Sequence, residues 1–258
     1  MDTNVNAAVP KIFGVRVDAL RLDEVMDRIC SAVDKRQRML VGNLHVRGAN
    51  LAYEQAWFRE FLNSADIVYC DGMGVKLGAS FLGYDLPERF TLADWIWELA
   101  GRFEAQGASI YLLGNPPGVP EAAAQKLKER FCQLEIAGAQ HGYFDKERGS
   151  PDNDRVVAHV NQVQPDVLFV GFGMPAQEKW LMENWPHLNV RVAIACGAIF
   201  EYIAGTLPRG PHWMTENYLE WLARLVISPR RYWRRYFRDN PLFIWRVFQQ
   251  RLHPNSFA

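Results

Sequence analysis

The residues best placed for chemistry lie directly after short apolar runs. In ADIVYCDGMGVKLG such a run delivers Asp71 onto a Gly72-Met73-Gly74 turn. A carboxylate there is either a general base at a sheet edge or a cap on the following helix, and the spacing leaves both open. Its glycines let a ligand or a second backbone approach closely, and amides that open a helix can face an anion. In YLLGNPPGVPEAAAQKL the chain passes into Gly114-Asn115-Pro116-Pro117-Gly118 and then a helix. That turn can seat a nucleotide or its phosphates, although two prolines remove two donors; it serves equally as a stiffened connection. In PDVLFVGFGMPAQEKWL, Gly171-Phe172-Gly173 is followed by Pro175, Gln177, Glu178 and Lys179. Pro175 suits a first helical turn, Glu178 complements the helix dipole and Lys179 reads as solvated. Gln177, with less obvious structural purpose, reads as a ligand contact. Asn43, closing RMLVGN, either contacts substrate or fixes a turn. Arg89, in LPERFTLAD, suits an acidic substrate group, while Thr91 and Asp94 have the spacing of a capping box and read as structural.

These residues need a scaffold of strands and helices. Apolar runs at 12–17, 38–41, 66–70, 109–114, 166–173 and 191–197 read as buried strands, and stretches at 21–36, 121–131 and 154–163 have helical spacing. Their alternation predicts an α/β fold: a Rossmann-like, mostly parallel sheet covered by helices, with ligands beyond the carboxyl ends of the strands. DKERGSPDND at 145–154 reads as a surface loop. Near residue 208 the pattern changes, which divides the chain into a catalytic body, 1–208, and a basic amphipathic helical appendage, 209–258.

The chain's 29 Lys and Arg balance 29 Asp and Glu, but the balance is uneven. Residues 205–258 hold nine Arg and no Lys against three acidic residues. Arginines interleaved with Tyr232, Trp233, Tyr236 and Phe237 suit an anionic lipid surface, each contributing about 1 kcal/mol near it. Nucleic acid is the rival partner, which the large apolar side chains of LFIWRVF argue against; a helix packing its aromatics on the core is the structural alternative. Four scattered cysteines without a CxxC pair or clustered histidines indicate neither a zinc site nor a disulfide framework. No aspartate pair is expected to hold a metal, and no cofactor is expected. Without a leader or a spanning apolar run, the expected location is cytoplasmic, peripheral on the inner face of the cell membrane.

Six motifs in register, ADIVYCDGMGV with LPERFTLAD, YLLGNPPGV, HGYF, PDVLFVGFGMPAQEKW, CGAIFEYIAGTLPRGPHWM and EWLARLVISPRRYWRRY, make the chain resemble the WecG/TagA/CpsF glycosyltransferases of bacterial polysaccharide and teichoic acid assembly. The resemblance covers nearly the whole chain. It implies an inverting, metal-independent transfer from a UDP-sugar to a polyprenyl-diphosphate-linked sugar at the membrane. Asp71 takes the place of the family's base, Gln177 of its active-site glutamine and Arg89 of a substrate-binding arginine. Arg224, Arg231 and Arg234 take that of its lipid-diphosphate or leaving-group arginines, which makes the tail a functional lid. Asn43 matches the Asn of a Thr-x-Asn turn whose Thr is here Val41, and Glu201 stands where many relatives carry Asp on the nucleotide side. Gly72, Gly114 and Asn115 complete the expected substrate-binding set. The sequence leaves a homo-oligomer and the sugar's identity open. Two other classes remain: a nicotinamide-dependent oxidoreductase, for which a full GxGxxG is missing, and a non-catalytic membrane-binding module.

Overall fold

The computed structural model describes residues 9–207 and 235–254. The segment expected as one strand at 12–17 is instead a small antiparallel hairpin, β1 (Lys11–Ile12) and β2 (Val15–Arg16). Phe13 and Gly14 both have positive φ, 51° and 77°, the conformation that reverses a chain in two residues. After α1 (Leu22–Asp34) comes the sheet proper. Its strands are β3 (Met39–Leu44), β4 (Ile67–Cys70), β5 (Ser109–Gly114), β6 (Glu135–Gln140), β7 (Val167–Gly171) and β8 (Val192–Ala195). They lie in the order β4-β3-β8-β7-β5-β6, and every neighbouring pair is parallel. The α/β class and the parallel sheet are therefore as the alternating pattern implied.

β6 was not visible in the apolar pattern. It is an edge strand of small and polar residues, and Gly138 leaves room there for the Tyr111 ring of β5. Conversely, β4, β5, β7 and β8 are buried along their whole length, as strands covered on both faces must be.

Between the strands run α2 (Val46–Glu54), α3 (Ala56–Ser64), α4 (Met73–Leu82), α5 (Leu92–Gln106), α6 (Val119–Arg130), α7 (Pro151–Val163), α8 (Ala176–Asn184) and α9 (Ile199–Ile203). α7 begins inside the stretch expected to be a loop. The Ser150 hydroxyl accepts from Asn153 N at 3.2 Å and Pro151 opens the first turn, so only the front of that stretch is irregular. Apolar side chains of α2, α3, α4, α7 and α8 form one core and those of α1, α5, α6 and α9 the other. The loops leaving β3 and β7 thus turn to one face and those leaving β5 and β8 to the opposite face. Neighbouring strands whose exits diverge leave a crevice at their carboxyl ends, which is where such sheets bind ligands.

Part of the stretch read as an appendage belongs to the first of these cores. α10 (Asn240–Leu252) buries Phe243 and Val247 against the body, with the Phe243 ring 5.5 Å from Phe13 in an edge arrangement. Arg246 donates to Asn50 O and Oδ1 at 3.1 Å and pairs with Glu54 at 2.8 Å, and Gln250 accepts from Phe13 N at 3.0 Å. Gly78 of α4 is where Phe243 enters: a Cβ there would lie 2.8 Å from the ring.

Candidate active site

Asp71 directly follows β4, and its amide donates to Leu44 O at the end of β3 at 2.9 Å. It is not the cap of α4. Gly72 holds that position with φ 90°, and the helix takes no side-chain cap. Asp71 is half-buried, and the space where a Gly72 side chain would stand is empty to 4 Å. Of the two sequence readings, the capping one is thereby lost, while the carboxylate stays at the lip of the crevice.

Two groups join it. The loop between α4 and α5 is tied back to β4 by Phe90 N donating to Cys70 O at 3.2 Å, which brings Arg89 alongside. The Arg89 guanidinium is 4.0 Å from Asp94, and both Arg89 and Asp71 act electrostatically on Cys70, whose thiol burial pushes up to about 12. Thr91 makes no side-chain cap on α5, so the anticipated capping box does not form and Asp94 faces Arg89 instead. Asn43 lies within β3 rather than in a turn after it, because the strand runs on to Leu44. Its Nδ2 donates to Ala195 O of β8 at 3.3 Å, and its register partner on β4 is Tyr69. The buried Tyr69 hydroxyl is held well above the ordinary phenol range by desolvation first and then by Asp71 and Cys196, with Asn43's hydrogen bond opposing. Asn43, Asp71 and Cys196 therefore all act on one phenol.

The second half of the crevice is a knot of amides. Gly114 and Gly171 pair across β5 and β7, and a Cβ on Gly114 would sit 2.5 Å from the Gly171 backbone. Gly114 also has φ 139°, so Gly114→Ala should cost about 1–3 kcal/mol or more, read as a lowered Tm, and should weaken nucleotide binding with it. Asn115, buried with φ 59°, donates its Nδ2 to Gly171 O at 2.6 Å and Gly197 O at 2.9 Å. Its backbone N is also spent, on Gly171 O at 2.8 Å, so this turn presents fewer donors to a phosphate than the sequence suggested. Its Oδ1, buried and without a partner, is an acceptor waiting for an N–H or O–H. The HGYF loop closes over the same edge, with Gly142 N donating to Asn115 O at 2.9 Å and Tyr143 exposed.

Gln177, expected to contact ligand, has a structural task that the sequence hid. It is 3% exposed, and its Oε1 accepts from Gly173 N at 3.2 Å and Gly197 N at 3.0 Å, pinning the loops after β7 and β8 together. Its Nε2 donates to Glu178 Oε1 at 2.8 Å. Glu178 lies in the first turn of α8, as expected of a helix-dipole partner, but is buried between elements. Desolvation raises its pKa to about 7 against the weaker pull of the Gln177 and backbone hydrogen bonds. The folded protein thus keeps a proton that the unfolded chain releases. The contribution of Glu178 to stability should be greatest below about pH 4.5 and decline toward pH 7 by about 1.4 kcal/mol per pH unit at most. Glu178→Gln should therefore gain Tm relative to the wild type at pH 8 and not at pH 5, which parallel melts will check. Pro175 is the residue before α8 rather than in its first turn, and Lys179 is exposed toward Glu183 at 3.9 Å.

Glu201 is the third residue of α9, half-buried on the helix leaving β8. Arg224, Arg231 and Arg234 lie outside the described residues. The sequence contains one D-x-D, Asp152-Asn153-Asp154. It sits in the first turn of α7, where Asp152 pairs with Arg155 at 3.5 Å and Asn153 is buried against Trp180 and Asn184. Among the described residues no three His, Cys, Asp or Glu side chains converge as metal ligands, and no helix is long and apolar enough to cross a membrane.

An α/β sheet with a carboxylate, an arginine and amide-lined loops along one crevice is the setting of a group-transfer enzyme. The model of the Glycosyl transferase WecG/TagA/CpsF family matches residues 10–256, and the chain belongs to that family and is a glycosyltransferase. It is 26% identical over 244 residues to a Staphylococcus aureus (strain MRSA252) protein, covering 94% of this chain and 93% of the relative. It is 28% identical over 204 residues to a Bacillus subtilis (strain 168) protein, covering 79% and 77%. Both relatives are named N-acetylglucosaminyldiphosphoundecaprenol N-acetyl-beta-D-mannosaminyltransferase.

Proposed function

We propose that the protein transfers an N-acetylmannosamine-type sugar from a UDP donor to an N-acetylglucosamine carried on a polyprenyl diphosphate, with inversion and without a metal ion. The carrying observation is the line of Asn43 and Asp71 at the ends of β3 and β4, with Arg89 on the loop tied back to β4, continued by Asn115 and Gly197 after β5 and β8 and by Gln177 of α8. The relatives' names supply the acceptor and sugar class, and the motif resemblance supplies the nucleotide.

In this reading Asp71 takes the proton of the acceptor hydroxyl as its oxygen bonds to the anomeric carbon, while the bond from that carbon to UDP breaks. General-base assistance of this kind contributes about 10²–10⁴ in rate. Arg89 orients an anionic group of a substrate. Gln177 acts by fixing the loops that border the donor, Glu201 lies on the nucleotide side, and Asn115 Oδ1 accepts from a donor hydroxyl or base N–H, since an ionised diphosphate offers it no hydrogen. Charge on the departing UDP is met by loop amides and by Arg224, Arg231 and Arg234 of the tail, each well-placed donor contributing about 3 kcal/mol. The acceptor's lipid requires work at a membrane surface, with the part of the tail that precedes α10 as the docking and lid segment and the cytoplasmic face as the place where nucleotide sugars are found.

A panel of UDP-sugars, incubated with a short-chain prenyl-diphosphate N-acetylglucosamine and EDTA, tests the proposal. Transfer from UDP-N-acetylmannosamine in EDTA is the expected result; transfer only after a divalent metal is restored, or reduction of NAD instead, overturns it.

A further inference from the structure

We infer that Glu178 is a positioning residue for the donor: it holds Gln177, and through Gln177 the loops at Gly173 and Gly197, in the arrangement that borders the donor diphosphate. The inference rests on the reading of this crevice as the donor site. The relay is explicit in the hydrogen bonds. Glu178 Oε1 accepts from Gln177 Nε2, and Gln177 Oε1 accepts from both glycine amides. One side chain thus joins the exits of β7 and β8, whose loops turn to opposite faces of the sheet. Both glycines have positive φ and, among the described residues, open space to 4 Å where a Cβ would stand.

Glu178 is 2% exposed, and its Oε2 is buried with no hydrogen-bond partner. An ionised carboxylate with one bare oxygen is poorly accommodated there, whereas a neutral acid leaves no buried charge. Burial accordingly moves its titration to about 7, and the groups that oppose the shift are Gln177 and its own backbone amide. Just after β8, Cys196 responds to Glu178 in turn. From α3, which packs on α8, Arg59 is engaged with Ala52 O at 2.9 Å and Glu60 is exposed. On α8 itself Lys179 faces Glu183, and beyond it His187 contacts Arg148. None of these contributes to the titration of Glu178. Ionisation strengthens the bond from Gln177 but places an uncompensated negative charge one relay away from the diphosphate, and that repulsion weakens donor binding.

The test uses the full chain and UDP-N-acetylmannosamine, whose diphosphate diester does not itself titrate near neutrality. Affinity is measured by calorimetry at about pH 6 and about pH 8.5 for the wild type and for Glu178→Gln, an uncharged mimic that still accepts from Gln177. In parallel, the ¹⁵N shifts of Gly173 and Gly197 are followed over the same range without ligand. The expected result is at least about a 5-fold loss of wild-type affinity at the higher pH, a flat profile in Glu178→Gln, and glycine shifts that titrate in the wild type alone. Glycine shifts that do not move, or equal pH dependence of binding in both proteins, overturn the inference. If the glycines titrate but the sugar nucleotide binds at neither pH, the relay stands and the donor reading of the crevice falls.

Discussion

Replacing Asp71 with Asn should lower kcat with the lipid acceptor by about 10²–10⁴-fold while the KM for the UDP-sugar stays within about 2-fold. Asn fills the same volume at the end of β4 and leaves the Asp71 N to Leu44 O bond intact, so the fold should not respond. What is lost is the group that receives the acceptor's proton. The effect belongs in kcat because the proton moves only during reaction, when acceptor oxygen and anomeric carbon are already held together. Steady-state kinetics with both substrates varied separates this from a binding defect. An unchanged kcat would remove Asp71 from the chemistry, and a raised donor KM with normal kcat would recast it as a binding residue.

The second large effect concerns stability. Phe243→Ala should destabilise the protein by about 3–5 kcal/mol, because the ring is 3% exposed and fills a gap between Gly78 and Phe13 that small side chains cannot close. For a chain of this size that lowers Tm by about 10 °C. Removal of residues 240–252 should be worse, since it also leaves Asn50 and the Phe13 amide without Arg246 and Gln250. A tail that merely docks on lipid would make neither change visible in a melt of the free protein. Deletion from residue 209 is consequently a poor test of a lid, and separate substitution of Arg224, Arg231 and Arg234 is the cleaner one, read as loss of transfer with Tm retained.

Much of this architecture could be read from pattern. The interior strands are continuous apolar runs because both faces are covered, and the helices between them carry amphipathic spacing. Where the pattern failed, tertiary context decided. β6 is an edge strand of small and polar residues with Gly138 under the Tyr111 ring, so it lacks the apolar signature. The stretch at 12–17 is apolar enough for a strand, yet Phe13 and Gly14 turn it back on itself. The start of α10 reads as an amphipathic membrane element, and only the packing of Phe243 and Val247 reveals which face is spoken for.

The site divides in the same way. Asp71 and Asn43 stood out as candidates because a polar residue at the end of an apolar run has few structural reasons to be there, and Arg89 because an arginine in a loop suits an acidic group. Glu178 was not, since Gln-Glu-Lys at a helix start looks like any solvated first turn. Its burial follows from the loops that close over α8 from the end of β8, contacts about twenty residues away that no local spacing reports. Gln177 was singled out for a sound reason and assigned the wrong immediate contacts: its partners are two backbone amides and a neighbouring acid.

The configuration of the new glycosidic bond tests the central claim most directly. A base that activates the acceptor hydroxyl for single displacement at the anomeric carbon must invert it. With a UDP-α-linked N-acetylmannosamine donor, the one-bond carbon–hydrogen coupling at the product's anomeric centre should be that of a β-linkage. An α-linkage would mean double displacement or attack from the donor's own face, and would contradict Asp71 as the base.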